Sequence, residues 1–110
     1  MSDDRDAEHR FFLLSPGLRP PFYEVVDHVY GHDSNVDTDG NSMTRDAVDW
    51  TELYMAQRPE LEPVVTVLPM NLDATVLSIE SSSEALARRT AEYLHRRCGG
   101  TLTQTPPKDL

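Results

Sequence analysis

The chain has 110 residues, of which 38% are hydrophobic and 26% charged, and its formal net charge is −9. That length supports one domain with one core, and the apolar content is that of a globular chain rather than a disordered one. So negative a charge disfavours nucleic acid and anionic membrane surfaces, and favours cations or a basic protein partner.

The first eight residues, MSDDRDAE, are polar and read as an acidic tail that lacks the basic start and apolar stretch of a secretory signal. No apolar run approaches the length that crosses a bilayer, so a cytoplasmic location without membrane contact is expected. Residues 9–104 are expected to form the single domain and residues 105–110 a C-terminal tail. Residues 9–14 (HRFFLL) suit a strand buried on both faces, ended by Ser15, Pro16 and Gly17. Pro20 and Pro21 suit a helix start. Phe22, Val25, Val26 and Val29 then recur at helical spacing, which predicts a helix over 21–30 stopped at Gly31.

Residues 31–45 (GHDSNVDTDGNSMTR) are almost wholly polar and turn-forming, and read as a long loop. Residues 46–58 satisfy local helix rules: Asp46 can cap, Asp49 falls in the first turn, Arg58 in the last, and Pro59 lies beyond. Trp50, Thr51 and Tyr54 suit a strand instead; the local rules favour the helix. Residues 63–68 (PVVTVL) and 74–80 (ATVLSIE) predict an antiparallel hairpin across a short connection. Ser81 and Glu84 have capping-box spacing, followed by Ala87, Ala91, Leu94 and Cys98 as a core stripe and Gly99–Gly100 as a stop. A short strand over 101–103 closes the order. The fold class expected is α+β, a small antiparallel sheet with two or three helices on one face, and a ferredoxin-like variant would satisfy that order.

The charge is concentrated. Residues 24–62 hold ten carboxylates against Arg45 and Arg58. Within them, residues 35–46 (NVDTDGNSMTRD) resemble the calcium loop of the EF-hand. Asn35, Asp37 and Asp39 fall on the first, third and fifth positions, Gly40 on the sixth and Asp46 on the twelfth. The resemblance implies a calcium site built from Asn35, Asp37, Asp39 and Asp46. It departs from the pattern at Asn35 for Asp, at Ser42 for an apolar residue, and at Asp46 for the bidentate Glu. Alternating Asp and Asn also arises because both favour turns.

His28, His32, His95 and Cys98 have zinc-like spacings, but Gly31 separates the first pair and Cys98 lies on an apolar stripe, so surface histidines and a buried thiol are expected. Cys98 is the only cysteine, which rules out an intrachain disulfide. No nucleophile elbow or phosphate-binding glycine loop is present. Trp50 and Tyr54 beside Asp46, Asp49 and Glu52 could form aromatic anchors rimmed by carboxylates, although a lone tryptophan in a small domain is more often core. The leading expectation is a non-enzymatic binding protein of the immunity or inhibitor type. It would engage a basic protein through Asp37, Asp39, Asp46, Asp49, Trp50, Glu52 and Tyr54, with no cofactor. A calcium-binding domain and a small enzyme with a dispersed site are the alternatives.

Overall fold

The computed structural model describes residues 9–105; the tail expected over 1–8, and all but the first residue of the tail expected over 105–110, lie outside the described residues. The elements are β1 (His9–Leu14), α1 (Phe22–Tyr30), β2 (Val36–Gly40), β3 (Leu53–Gln57), β4 (Val65–Pro69), β5 (Val76–Ser81), α2 (Glu84–Cys98) and β6 (Thr101–Thr103). The strands form one antiparallel sheet in the order β2-β3-β4-β5-β1-β6. This is an α+β fold. Without β2 and β3 the chain runs strand, helix, strand, strand, helix, strand, the order of a ferredoxin-like sandwich. The β2–β3 pair is inserted after α1 and lengthens the sheet at one end.

Both helices cover the same face. Phe11 and Leu13 of β1, Leu53 and Met55 of β3, Val65 and Val67 of β4, and Leu77 and Ile79 of β5 alternate into it. They meet Val25 and Val29 of α1 and Ala87, Ala91 and Leu94 of α2 in one core. Helix α1 begins at Pro21, where a missing N–H costs nothing, and ends at Gly31, whose φ of 104° suits glycine and whose N–H returns to the Asp27 carbonyl at 2.9 Å. Helix α2 starts at Ser83 rather than Ser81. The Ser83 hydroxyl accepts the Leu86 N–H at 3.3 Å, a cap worth about 1 kcal/mol. Ser81 is held in β5, paired with both His9 and Val65, so the chain cannot turn helical until two residues later.

Two expectations over the middle of the chain are corrected. The loop expected over 31–45 contains β2. The helix favoured over 46–58 is a connection followed by strand β3, which pairs with β2 on one side and β4 on the other. The Ala47 N–H bonds the Thr44 carbonyl, so Asp46 lies in a turn instead of capping a helix. Pairing with β2 along its whole length and with β4 over Leu53–Met55 bonds the β3 backbone, and Met55 and Ala56 are completely buried, which outweighs the small helix preference of this segment.

Trp50 ties the connections together. Its ring is 1% exposed, and its indole N–H donates to the Pro20 carbonyl at 2.8 Å. The Arg19 N–H reaches the Val48 carbonyl at 2.8 Å. The segment before α1 and the segment before β3 are thereby sewn to each other. Among the described residues, no helix is long and apolar enough to cross a membrane.

Candidate protein-binding surface

No helix covers the sheet face opposite α1 and α2 among the described residues; Phe12, Ala56 and Ser78 are buried on it, but its β2–β4 corner is exposed, and the strand register shows which side chains share it. Asp39 of β2 stands across from Tyr54 of β3, Tyr54 from Thr66 of β4, Thr66 from Glu80 of β5, and Glu80 from Arg10 of β1. Extending the same registers by one residue sets Asn41 beside Glu52 and Glu52 beside Leu68. Asp37 lies across from Ala56. Asp37, Asp39, Glu52 and Tyr54, scattered in sequence, are thus gathered on one corner of the open face.

Asp39, Glu52, Tyr54, Thr66 and Leu68 line a shallow depression of about 220 Å³ there. Two carboxylates share it with the Tyr54 ring and with Leu68, which remains 44% exposed beside the buried Val67. Asn41 fixes the rim. Its side-chain oxygen accepts the N–H groups of Thr51 at 2.9 Å and Glu52 at 3.0 Å, and its amide donates to the Thr51 hydroxyl at 2.8 Å. A fourth bond, from the Gly40 N–H to the Asp39 carboxylate at 2.8 Å, holds Asp39 at the sheet edge.

Charge is distributed unevenly. Glu24, Asp27, Asp37, Glu80, Glu84 and Glu92 each have a cationic or histidine partner within 4 Å. Asp39, Asp46, Asp49, Glu52, Glu60 and Glu62 have none among the described residues. The arginines gather instead on α2, where Arg88 pairs with Glu84 and Glu92, and Arg97 with Glu24. Asp39, Asp46, Asp49 and Glu52 belong to β2 and the connection to β3, whereas Glu60 and Glu62 follow β3 and border Pro63 and Ser82 at the other end of the strands. The first four create a negative potential that extends about a Debye length into solvent, near 8 Å at physiological salt.

The remaining residues singled out from the sequence lie as follows. Asp46 and Asp49 are exposed in the connection from β2 to β3. Trp50, in the same connection, faces the core and offers no surface to a partner. Asn35 and Asp37 are both held by Arg58, whose guanidinium donates to the Asn35 side-chain oxygen at 2.8 Å and to Asp37 at 3.0 Å. Residues 36–40 run straight as a strand rather than curling about a point as a calcium loop must, so Asn35, Asp37, Asp39 and Asp46 are not wrapped around a common centre.

The histidines and the cysteine are also dispersed. The His32 ring nitrogen lies 3.3 Å from the Asp27 carboxylate. His28 stacks on Tyr93 with centroids 4.2 Å apart. Burial, then the Arg96 and Arg89 charges, hold the His28 pKa below its ordinary value. His95 faces the Gly100 carbonyl at 3.1 Å. Burial pushes the Cys98 thiol up, against the opposing pull of Arg19 and Arg97, which keeps it protonated and a poor nucleophile. Among the described residues no group of three or more His, Cys, Asp or Glu is arranged to hold a metal ion. The serine run is structural: Ser81 accepts the Ser83 N–H at 3.1 Å and Ser83 caps α2.

Leu68 and Thr66, which complete the depression, were not singled out from the sequence. Their signal was the period-two pattern of VVTVL, in which Thr66 and Leu68 must face away from Val65 and Val67. The fold and the surface together define a small antiparallel α+β sandwich with an acidic, partly apolar corner. No family model matches the chain, and no curated protein or solved structure matches it.

Proposed function

We propose that this protein is a non-enzymatic binding module that takes a basic protein surface on the acidic corner of its open sheet face, in the manner of an immunity or inhibitor protein. The observation that supports this most directly is the depression lined by Asp39 and Glu52, whose two carboxylates have no cationic partner among the described residues, together with Tyr54 and Leu68. An arginine or lysine from a partner fits that chemistry at both ends. Its aliphatic stem would lie on Leu68 and the Tyr54 ring while its head meets the carboxylates. The unpaired acids around it, Asp46 and Asp49 included, would steer the encounter and set its rate more than its final affinity.

The test compares two double variants of equal charge change. Asp39→Lys/Glu52→Lys alters the depression, and Asp33→Lys/Glu92→Lys alters acids outside it. Basic proteins that co-purify at low ionic strength are identified with wild type, and their association rates are then measured with each variant. The expected result is a loss of association rate of about tenfold or more for the first pair only, with a steep salt dependence in the wild type. Equal rates for wild type and Asp39→Lys/Glu52→Lys would overturn the reading.

A further inference from the structure

Strand β2 is an end strand of the sheet, and its backbone carries information that its side chains do not. The Arg58 N–H donates to the Asn35 carbonyl at 2.9 Å, and the Asn41 N–H to the Glu52 carbonyl at 3.4 Å. In an antiparallel ladder the residues that bond the neighbour alternate, so Asn35, Asp37, Asp39 and Asn41 turn their backbone groups toward β3. Val36, Thr38 and Gly40 therefore turn theirs away from the sheet. The Gly40 N–H confirms the phase, since it bonds the Asp39 side chain rather than β3. The N–H and C=O groups of Val36 and Thr38 have no partner among the described residues.

The two sides of this edge differ in chemistry. Toward the helices, Phe22, Thr38, Gly40, Ser42 and Leu53, with Asp39 at the margin it shares with the other side, border a cavity of about 190 Å³ that opens beside β2. Toward the open face stand Asp37 and Asp39. A strand added alongside β2 would therefore place alternate side chains in two environments, one acidic and one apolar enough to seat an aliphatic group. A second copy of this chain is a poor occupant. Pairing β2 with itself would set Asp37 and Asp39 against the same residues of the other copy, and like charges directly across a ladder are destabilising. A segment with basic residues at alternate positions reverses the sign of that interaction.

We infer that β2 is a docking edge for an extended segment of a partner protein in which arginine or lysine alternates with aliphatic residues, the segment adding to the sheet as a seventh strand. Main-chain bonds to Val36 and Thr38 supply affinity, Asp39 selects the basic position beside it while Asp37, already shared with Arg58, adds to the acidic side, and the cavity beside Phe22 and Leu53 selects an aliphatic one. This rests on the acidic-corner reading and names the form its partner takes.

The probe is a capped hexapeptide of alternating arginine and valine, titrated into the whole protein at low ionic strength with hydrogen exchange followed residue by residue. Two further peptides carry N-methyl groups on the arginines alone or on the valines alone. In an added strand only every second residue turns its N–H toward β2, so one phase of methylation must weaken binding about tenfold or more while the other leaves it unchanged. The amides of Val36 and Thr38 should also exchange about tenfold more slowly with the parent peptide bound. If all three peptides bind alike, strand addition is overturned and the acidic corner stands as a charge-only surface. If the parent peptide does not bind at all, both the docking edge and the basic-partner reading fall.

Discussion

Replacing Trp50 by phenylalanine separates the core role that the structure assigns to this residue from the anchoring role that its acidic neighbours suggest. The ring is 1% exposed and its N–H is the donor to the Pro20 carbonyl at 2.8 Å, an oxygen on a residue that is itself buried. Phenylalanine keeps most of the apolar contact but removes the donor. An acceptor left buried without a partner costs about 1–3 kcal/mol. The smaller ring leaves a void whose cost adds about 1 kcal/mol. The sum, about 2–4 kcal/mol, is a large part of the roughly 5–15 kcal/mol that holds a domain of this size folded. Urea unfolding followed by far-ultraviolet circular dichroism would read this as a midpoint lowered by about 1–2 M. Fluorescence cannot serve, because the substitution removes the only tryptophan. A loss under about 1 kcal/mol would refute the buried hydrogen bond, and weakened partner binding at unchanged stability would return Trp50 to the interface.

Four other outcomes follow from the same geometry. Thr90 is fully buried in α2 and its hydroxyl has no partner among the described residues, so Thr90→Val should be neutral or stabilise by about 1 kcal/mol in the same urea assay; a clear loss would mean that the hydroxyl is bonded. A Cβ on Gly40 would stand 2.3 Å from the Glu52 carbonyl oxygen, so Gly40→Ala should force β2 off β3 and cost about 1–3 kcal/mol by thermal unfolding, whereas an unchanged melting temperature would show that the edge gives way freely. The native pKa of His28 is lowered, first by burial and then by Arg96 and Arg89, so the unfolded chain takes up this proton more readily than the folded one. The contribution of His28 is therefore whole above about pH 6.5 and is lost as pH falls through its native value; His28→Gln should flatten that part of the stability profile, and an identical slope would count against it. Neutralising Asp39, Asp46, Asp49 and Glu52 to their amides should leave stability level or raise it slightly, because none has a cationic partner among the described residues; a loss above about 1 kcal/mol would show that these carboxylates serve the fold.

The elements legible in the sequence are those whose own residues decide them. HRFFLL, the valine ladder of α1, the hairpin of β4 and β5 and the alanine stripe of α2 each carry a burial pattern that needs no knowledge of the neighbours. The β2–β3 pair is different. VDTDG consists largely of residues that disfavour strands, and it is extended because β3 pairs with it. LYMAQ favours a helix locally, and its period-two signal is lost because Ala56 is as fully buried as Met55 although it faces the other way. The capping position moved from Ser81 to Ser83 for a related reason, since strand pairing at Ser81 overrides the helix start that its spacing allows. The acids of the candidate surface could be named from composition alone. Their convergence could not, because Asp39 meets Tyr54 only through a register that the sequence does not announce. Trp50 failed as an anchor because the carbonyl that fixes it comes from Pro20, thirty residues earlier.

The segment hardest to predict also carries Asp39, Asp46, Asp49 and Glu52, four carboxylates with no cationic partner among the described residues. A strand, helix, strand, strand, helix, strand core is formed by β1, β4, β5, β6 and the two helices, and Glu24, Asp27, Glu80, Glu84 and Glu92 within it have partners. The β2–β3 pair moves one edge of that sheet from β4 out to β2, and is sewn down by Trp50 and by the side chain of Asn41. Its acids lower self-pairing of the new edge, which is the ordinary way a sheet protects itself from aggregation. Protection alone, however, would be served as well by lysine or by a bulge, and needs neither a depression lined by Tyr54 and Leu68 nor a cavity beside Phe22. An edge that repels its own kind while offering two backbone pairs and two differently lined recesses is suited to a partner of opposite charge. That combination is why the inserted pair, and not the helices, is where binding should be sought first.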